Sequence, residues 1–332
     1  MRRIEDPVFR HALALLDAGD VAGLRGLLKQ YPQLVRQRVA YGDEDYFRGP
    51  SLLEFIAENP VRQGRLPANI VDVAKEIIGA GADSSSITSA LELVASGRVA
   101  RECAVQAALI DLLCDCGGDA TSALPGALAH GEFEAAEALI RSGARVDLPA
   151  AAALGQLDAA RRLLPPSSGI DRHRALALAT LHGRTDIVRL LLDADEDPDR
   201  YNPVGSHPHA TPLHQAALAG HDAVVRLLVE RGARLDVRDT RYGGTAVDWA
   251  HYGGRTETDR YLRAAAGRTQ QRRGADQREA NVRRTIARKV SLIVAGMLSL
   301  GMGGFHLFLP RVFGWAKDRK STRLNSSHPY RS

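Results

Sequence analysis

Residues 211–233, TPLHQAALAGHDAVVRLLVERGA, hold two short helical patterns that meet at a glycine. Thr211 suits the N-cap of the first helix, and Pro212 suits its first position, where the missing N–H is harmless. Gly220 and Gly232 each follow a helical pattern, at the place where a left-handed residue ends a helix. The stretch therefore predicts two antiparallel helices joined by a tight turn.

This stretch resembles the ankyrin repeat almost letter for letter. Ala216 and Ala217 let the two helices approach closely, and the leucines and valines of the second helix supply an apolar face. The resemblance gives His214 a hydrogen bond to Thr211 that joins the turn to the helix. A single helix pair cannot bury its apolar face alone, so such units stack. The resemblance thus implies an all-α fold, an ankyrin-repeat solenoid of stacked helix–turn–helix units with β-turn fingers.

Shifts of the reading frame extend the pattern. A shift of 34 residues aligns residues 245–250 with residues 211–216 and predicts a terminal repeat, and a shift of 37 aligns Gly183 with Gly220. Weaker copies continue upstream, so we expect seven or eight units between residues 11 and 264.

The two residues that follow the second helix of one unit depart from the family pattern. Where the pattern has Gly-Ala after this helix, the chain has Asp195 and Glu196. The left-handed position then falls to Asp195, at a cost on the order of 1 kcal/mol.

Composition and motifs indicate a binding protein without catalytic chemistry. The fraction of hydrophobic residues is 45%, and three cysteines are too few for a disulfide framework. Glu5 and Asp6 interrupt the position where an export signal needs an apolar core. The chain lacks the motifs of a phosphate loop, a nucleophile elbow or a zinc-protease pair. We therefore expect no enzyme activity and no cofactor.

The resemblance implies that an unknown protein partner binds the concave face of the array. We place the contact patch on the last three units, where aromatic and basic side chains gather, because Trp, Tyr and Arg are favoured at interface cores. The predicted partner-binding residues are Tyr201, His207, His209, Leu218, Arg238, Arg241, Tyr242, Trp249 and Tyr252. In an alternative interpretation, Trp249 and Tyr252 merely cover the core of the last repeat. Two histidines on a loop make a poor metal site, so no metal is expected.

An uncharged stretch at residues 290–309, VSLIVAGMLSLGMGGFHLFL, follows the array. As a helix it would rise about 30 Å, the thickness of a bilayer core, which predicts a transmembrane helix. Basic residues precede it, and by the positive-inside rule the repeats lie in the cytoplasm, at the inner membrane of a bacterial-type cell.

The residues between the array and this stretch are strongly basic. Residues 268–289 hold eight basic and two acidic residues, a charge of +6, and favour a flexible linker near anionic headgroups. Nucleic acid is an unlikely partner because no aromatic residue alternates with the arginines. The predicted organisation is an array over residues 1–267 that is strongest over 123–264, a basic linker over 268–289, a transmembrane helix over 290–309, a juxtamembrane segment over 310–317 and a terminal segment over 318–332.

The terminal segment resembles the translation of a sequencing adapter, in the letters DRKSTRLNSSH at residues 318–328. We therefore expect the natural reading frame to continue past Lys317. The sequence supports an adaptor tethered to a membrane. It leaves open a regulatory array on a truncated transporter, channel or membrane enzyme, and a soluble ankyrin scaffold.

Overall fold

A computed structural model describes residues 4–41 and 49–299 of the 332-residue chain. Within these ranges the secondary structure consists of helices and turns, without strands. The chain divides into two compact units, residues 1–263 and residues 264–332.

The described residues form sixteen α-helices and two short 3₁₀ turns. In chain order the helices are α1 (Pro7–Ala18), α2 (Val21–Gln30), α3 (Ile70–Gly79), α4 (Ser84–Ala95), α5 (Arg98–Glu102), α6 (Gln106–Asp115), α7 (Ala120–Ala129), α8 (Phe133–Arg141), α9 (Leu148–Leu154), α10 (Leu157–Leu163), α11 (Gly169–Leu181), α12 (Thr185–Asp193), α13 (Pro212–Ala219), α14 (Asp222–Glu230), α15 (Ala246–Tyr252) and α16 (Thr256–Ser299). The 3₁₀ turns span Pro32–Val35 and Leu53–Ala57.

The helices of the first unit are arranged as a stack of pairs. First helices pack on first helices, in the order α4, α7, α9, α11, α13 and α15, and second helices pack on one another beside them. The 3₁₀ turn Leu53–Ala57 takes the place of a first helix before α4, with α3 as its second helix. With α1 and α2 in front, the described part of the chain holds eight helix pairs. The all-helical repeat fold predicted from the sequence is confirmed.

Local chemistry explains why the pairs begin and end where they do. Thr211 caps α13, and the Thr211 side chain and His214 form the reciprocal capping box that the resemblance implies. Gly220 ends the helix with φ 78°, a left-handed conformation that a residue with a Cβ adopts at a cost. The helix signals read from residues 211–233 are therefore present in the structure.

The apolar core is continuous along the stack because α9 serves two neighbouring clusters. Ala150 and Ala153 of α9 belong to the cluster that reaches back to the N-terminus. Leu148, Ala151 and Ala152 belong to the cluster that reaches forward to Leu262 in the first turns of α16. Small residues on a first helix thus let neighbouring pairs approach closely from both sides.

Polar side chains add a ladder of contacts between successive pairs. Each donor follows the left-handed glycine of its first helix and reaches a carbonyl oxygen at the end of the preceding first helix. The bonds run from Arg184 Nε to Ala153 O (2.9 Å), from His221 Nε2 to Leu181 O (3.0 Å) and from Arg255 Nε to Leu218 O (2.9 Å). They satisfy helix-end carbonyls that lack an intrahelical partner.

The N-terminal part of the stack holds a buried cluster of charged side chains around Arg62. The Glu58 side chain is 1% exposed, and its Oε1 lies 2.8 Å from Nη2 of Arg62, which is 10% exposed. The same Nη2 lies 2.7 Å from Asp17 Oδ1 on α1, so the guanidinium joins the first pair to the second. The guanidinium carbon also stands 5.1 Å from the centre of the Phe55 ring. Glu58 Oε2 accepts the backbone N–H groups of residues 62–64.

The departure at Asp195 appears in the backbone as expected. Asp195 has φ 62°, while Gly232, its equivalent in the next unit, has φ 91°. The left-handed position therefore falls to a residue with a side chain.

We predict faster amide hydrogen exchange at residues 193–200 than at residues 230–238, because the left-handed aspartate weakens the end of α12. Asp195→Gly should slow exchange in the first segment and leave the second unchanged. Equal exchange rates in the two segments of the unmodified chain would contradict this prediction.

The second unit is described from Ala264 to Ser299, all within α16. Residues 268–289 are helical, where the sequence analysis expects a flexible linker. Among the described residues, no helix combines the length and the apolar character needed to cross a membrane. Half of the predicted transmembrane helix, residues 300–309, and the segments 310–317 and 318–332 lie outside the described residues.

Candidate protein-binding surface

Two loops between helix pairs project side by side near the end of the stack. Finger A (residues 197–210) precedes α13, and finger B (residues 234–244) precedes α15. The fingers are joined by a backbone hydrogen bond from Thr240 N to His209 O, at 2.9 Å. The Tyr201 hydroxyl donates to the carbonyl of Arg238 at 2.6 Å. Side chains from both loops therefore share one surface.

Asp239 organises finger B from inside. Its Oδ1 accepts the backbone N–H groups of Arg241 (3.0 Å) and Tyr242 (2.6 Å). Its Oδ2 accepts the N–H of Gly244 at 2.8 Å and the indole N–H of Trp249 at 3.0 Å. The buried carboxylate thus fixes the loop on α15.

The environment of Asp239 changes its acidity. Burial alone would raise the pKa of this carboxyl, but the N–H groups of Tyr242, Trp249, Gly244 and Arg241 outweigh burial and lower the pKa from 3.8 to about 2. Asp239 is therefore ionised at neutral pH, and its charge strengthens each bond that it accepts.

His209 is the centre of a cluster of aromatic rings. Its ring centre lies 5.9 Å from that of His207, 5.9 Å from that of Tyr242 and 5.7 Å from that of Trp249. The Arg241 guanidinium carbon stands 5.5 Å from the Tyr242 ring centre. These distances fit edge-on ring packing and a cation–π contact.

His214 connects the cluster to the helices. Its Nδ1 lies 2.8 Å from the Thr211 hydroxyl oxygen, and its Nε2 lies 3.1 Å from Gly244 O in finger B. Burial lowers the pKa of His214, which the hydrogen bond to Gly244 only partly offsets. The ring therefore stays neutral at physiological pH and acts as a structural bridge between two units.

The structure brings together seven of the nine predicted contact residues and separates two. We call the group the finger cluster; its members are Tyr201, His207, His209, Arg238, Arg241, Tyr242 and Trp249. Leu218 lies at the far end of α13, next to Gly253 at the far end of α15. Tyr252 is 89% exposed and makes no ring contact with the other described aromatic residues. The two therefore stand apart from the finger cluster.

Trp249 and Tyr252 differ in their surroundings. Trp249 is half-buried, donates to Asp239 and packs against His209 and His214, so it has a structural role in holding the fingers. Tyr252 covers no core, since its side chain is almost fully exposed. Tyr242 is 72% exposed, against 38% for Tyr201, and is the more open of the two tyrosines of the finger cluster.

The rings of His207 and His209 in finger A contact each other edge-on, with an angle of 78° between their planes. In the part of the chain that the structure describes, no group of three His, Cys, Asp or Glu side chains has a geometry suited to a metal ion. The contact of His207 with His209 is a ring contact within the finger cluster.

Sequence reasoning missed Asp239, the residue that shapes the candidate surface. A signal was available, since Asp accepts hydrogen bonds from backbone N–H groups a few residues later and favours turns. Asp239 stands before the glycine pair that precedes Thr245, the cap of α15.

Comparison with known proteins places these features in a family. The family model of ankyrin repeats, in three copies, matches residues 148–239. Cyclin-dependent kinase 4 inhibitor B of Bos taurus is 36% identical over 118 aligned positions, covering 27% of this chain and 89% of that protein. Cyclin-dependent kinase inhibitor 2A of Homo sapiens is 35% identical, with 27% of this chain and 76% of that protein covered. The chain belongs to the ankyrin-repeat family.

A larger relative matches a shorter region. Ankyrin repeat and SAM domain-containing protein 6 of Mus musculus is 46% identical over 69 residues, which cover 21% of this chain. The chain spans 8% of the length of that relative. These relatives are mammalian, so the comparisons give no support to the bacterial type expected from the sequence. Ankyrin repeats imply protein–protein interaction, which is therefore the general role of this array.

Proposed function

We propose that the chain is a protein-binding adaptor whose partner docks on the finger cluster. One observation carries the proposal: rings and guanidinium groups from two successive fingers share a surface, on which Tyr242 is 72% exposed. Aromatic and arginine side chains on a preformed surface bind partners at low entropic cost. The carboxylate of Asp239 holds finger B in place on α15 before a partner arrives.

The partner is expected to be a protein segment with acidic and apolar groups. Arg238 and Arg241 are exposed beside Tyr242, and the Arg238 guanidinium donates to the nearby carbonyl of Gly243 at 2.7 Å. An acidic side chain of a partner would approach these two arginines, while an apolar side chain would cover the open face of Tyr242.

The proposal includes a membrane tether through residues 290–309, on the strength of their uncharged sequence. Carbonate extraction of membranes that contain the full chain tests this point. Retention in the membrane supports an integral anchor, and release rules it out. The protein-binding role does not depend on this result.

We predict that Tyr242→Ala weakens partner binding about 10- to 100-fold, the effect typical of an aromatic residue at an interface centre. A photo-crosslinking amino acid at position 242 first captures the partner in cells. The dissociation constant of the purified pair is then measured by calorimetry for the unmodified chain and for the variant.

The matched control is Tyr252→Ala, the same change at an exposed tyrosine outside the finger cluster. It should leave the affinity within about twofold, as should Arg189→Ala on the outer helix α12. Equal losses at Tyr242 and Tyr252, or none at Tyr242, would reject the finger cluster as the docking surface.

A second candidate function is the inhibition of a cyclin-dependent kinase. The alignment with cyclin-dependent kinase 4 inhibitor B favours it, because the match covers 89% of that protein. The test is a kinase assay with the purified chain in excess over the kinase. Unchanged kinase activity would exclude this candidate and leave the adaptor function standing.

A further inference from the structure

The last described part of α16 lacks tertiary cover. All described side chains from residue 281 to residue 292 are exposed to solvent. Most stable helices owe their stability to an apolar face that packs against a neighbour. Within the segment formed by residues 278–292, the helix is thus exposed to solvent on every side from residue 281 onward.

One face of the segment is an apolar stripe. Val282, Ile286 and Val290 recur every four residues, which places them on the same side of the helix. Their exposed fractions are 48%, 45% and 45%. Three branched apolar side chains in line form a surface that water solvates poorly.

The remaining surface of the segment is basic. Its basic residues are Arg278, Arg283, Arg284, Arg288 and Lys289, and its single acidic residue, Glu279, lies one turn before Val282 on the side of the stripe. Glu279 already pairs with Arg283, at 3.0 Å between Oε1 and Nη2. An apolar stripe flanked by cationic side chains is the arrangement of helices that lie in a membrane interface.

We propose that residues 278–292 bind flat on an anionic lipid surface, with Val282, Ile286 and Val290 in the headgroup region and the arginines on lipid phosphates. Charge complementarity selects anionic lipid. The stripe also runs directly into the uncharged residues that follow Lys289. Nucleic acid fits less well, because residues 262–299 contain no aromatic side chain for base stacking. The inference is independent of the partner-binding proposal. A helix that crosses the bilayer from residue 290 is the competing arrangement, and the test below separates the two.

The test uses a full chain in which Trp249 and Trp315 are replaced by phenylalanine and one tryptophan is introduced at a time. The two variants are Ile286→Trp on the stripe and Ser291→Trp on the opposite side of the helix. Vesicles of phosphatidylcholine and phosphatidylserine carry brominated acyl chains that quench nearby indoles. We expect quenching and a blue shift for Ile286→Trp, with little change for Ser291→Trp, and loss of both signals in high salt. Vesicles of phosphatidylcholine alone should give neither signal.

Equal quenching at the two positions would overturn the proposal, because the helix would then contact the lipid with no preferred side. Stronger quenching of Ser291→Trp than of Ile286→Trp would also overturn it, since residue 291 lies deeper than residue 286 in a helix that crosses the bilayer from residue 290. Binding to RNA or to an acidic protein without binding to anionic vesicles would reject lipid as the partner.

A second measurement gives the strength of the contact. Ile286→Asp should lower the partition coefficient onto anionic vesicles at least about tenfold. The change removes an apolar side chain that the lipid buries in the bound state, and it adds a negative charge that the anionic headgroups repel. Ser291→Asp adds the same charge on the other side and should lower the coefficient much less. Crosslinking of the protein partner at position 242 should be the same in both variants, which separates this inference from the proposed function.

Discussion

Arg62→Ala is expected to lower the free energy of unfolding by about 3 kcal/mol, a large effect for a residue far from the finger cluster. The guanidinium is the positive charge between Glu58 and Asp17, with N–O distances of 2.8 and 2.7 Å. Without it, Glu58 Oε1 remains buried and charged, and the contact with the Phe55 ring is lost. The backbone N–H groups that bond Oε2 remain, which keeps the cost near the lower end for a broken buried ion pair.

The matched control for this variant is Arg98→Ala. Arg98 also pairs with a carboxylate, that of Glu102 at 2.9 Å, but the two side chains are 60% and 47% exposed. Solvent screens such a pair, so the loss should be within about 0.5 kcal/mol. Urea unfolding of the three proteins measures the difference, and similar values for the two variants would show that the buried cluster has no special role in stability.

Asp239→Ala should cost about 2–4 kcal/mol and should also abolish partner binding. The change leaves four N–H donors without their charged acceptor, and each such bond contributes more than a neutral one. Since those donors hold Tyr242, Arg241 and Trp249, the finger cluster loses its preformed arrangement. Asp111→Ala, on the exposed face of α6, is the control and should change stability by less than about 0.5 kcal/mol.

The effect of Asp239 depends on pH with a definite sign. The folded-state pKa of about 2 lies below the ordinary value of 3.8, so the unfolded chain binds the proton more readily. The stabilising contribution is complete above about pH 4 and is lost as the pH falls toward 2. The stability gap between the unmodified chain and Asp239→Ala, measured by urea unfolding, should therefore narrow over this range. A gap that stays constant would show that the charge of Asp239 is not the cause.

Much of the fold could be predicted from residues 211–233, because helix signals act over a few residues. Thr211, Pro212 and Gly220 set the limits of α13 through contacts within one turn of helix. The left-handed backbone of Asp195 followed from the same local logic, since the frame of repeats leaves no other residue for that position. Periodic apolar residues then indicated which faces must be covered.

For the finger cluster, the sequence could predict which residue types gather near the end of the array, but not which side chains contact one another. Aromatic and basic residues gather near the C-terminal end of the array, but their sequence positions do not say which ones meet. Tyr252 and Leu218 fall outside the cluster because they lie at the far ends of α15 and α13. Asp239 went unnoticed because its donors come from a loop and from the next helix.

The sequence by itself determined the repeat, the helix limits and the charge difference between the array and the residues after it, since caps, turns and apolar periodicity are local and charge is additive. Tertiary structure alone decided that Arg62 joins Asp17 to Glu58 and that Asp239 joins finger B to α15. It also decided that residues 281–292 of α16 are left exposed on every side of the helix. The physical reason is that a buried charge depends on donors and acceptors from several chain segments, and only the folded stack brings those segments within hydrogen-bonding distance.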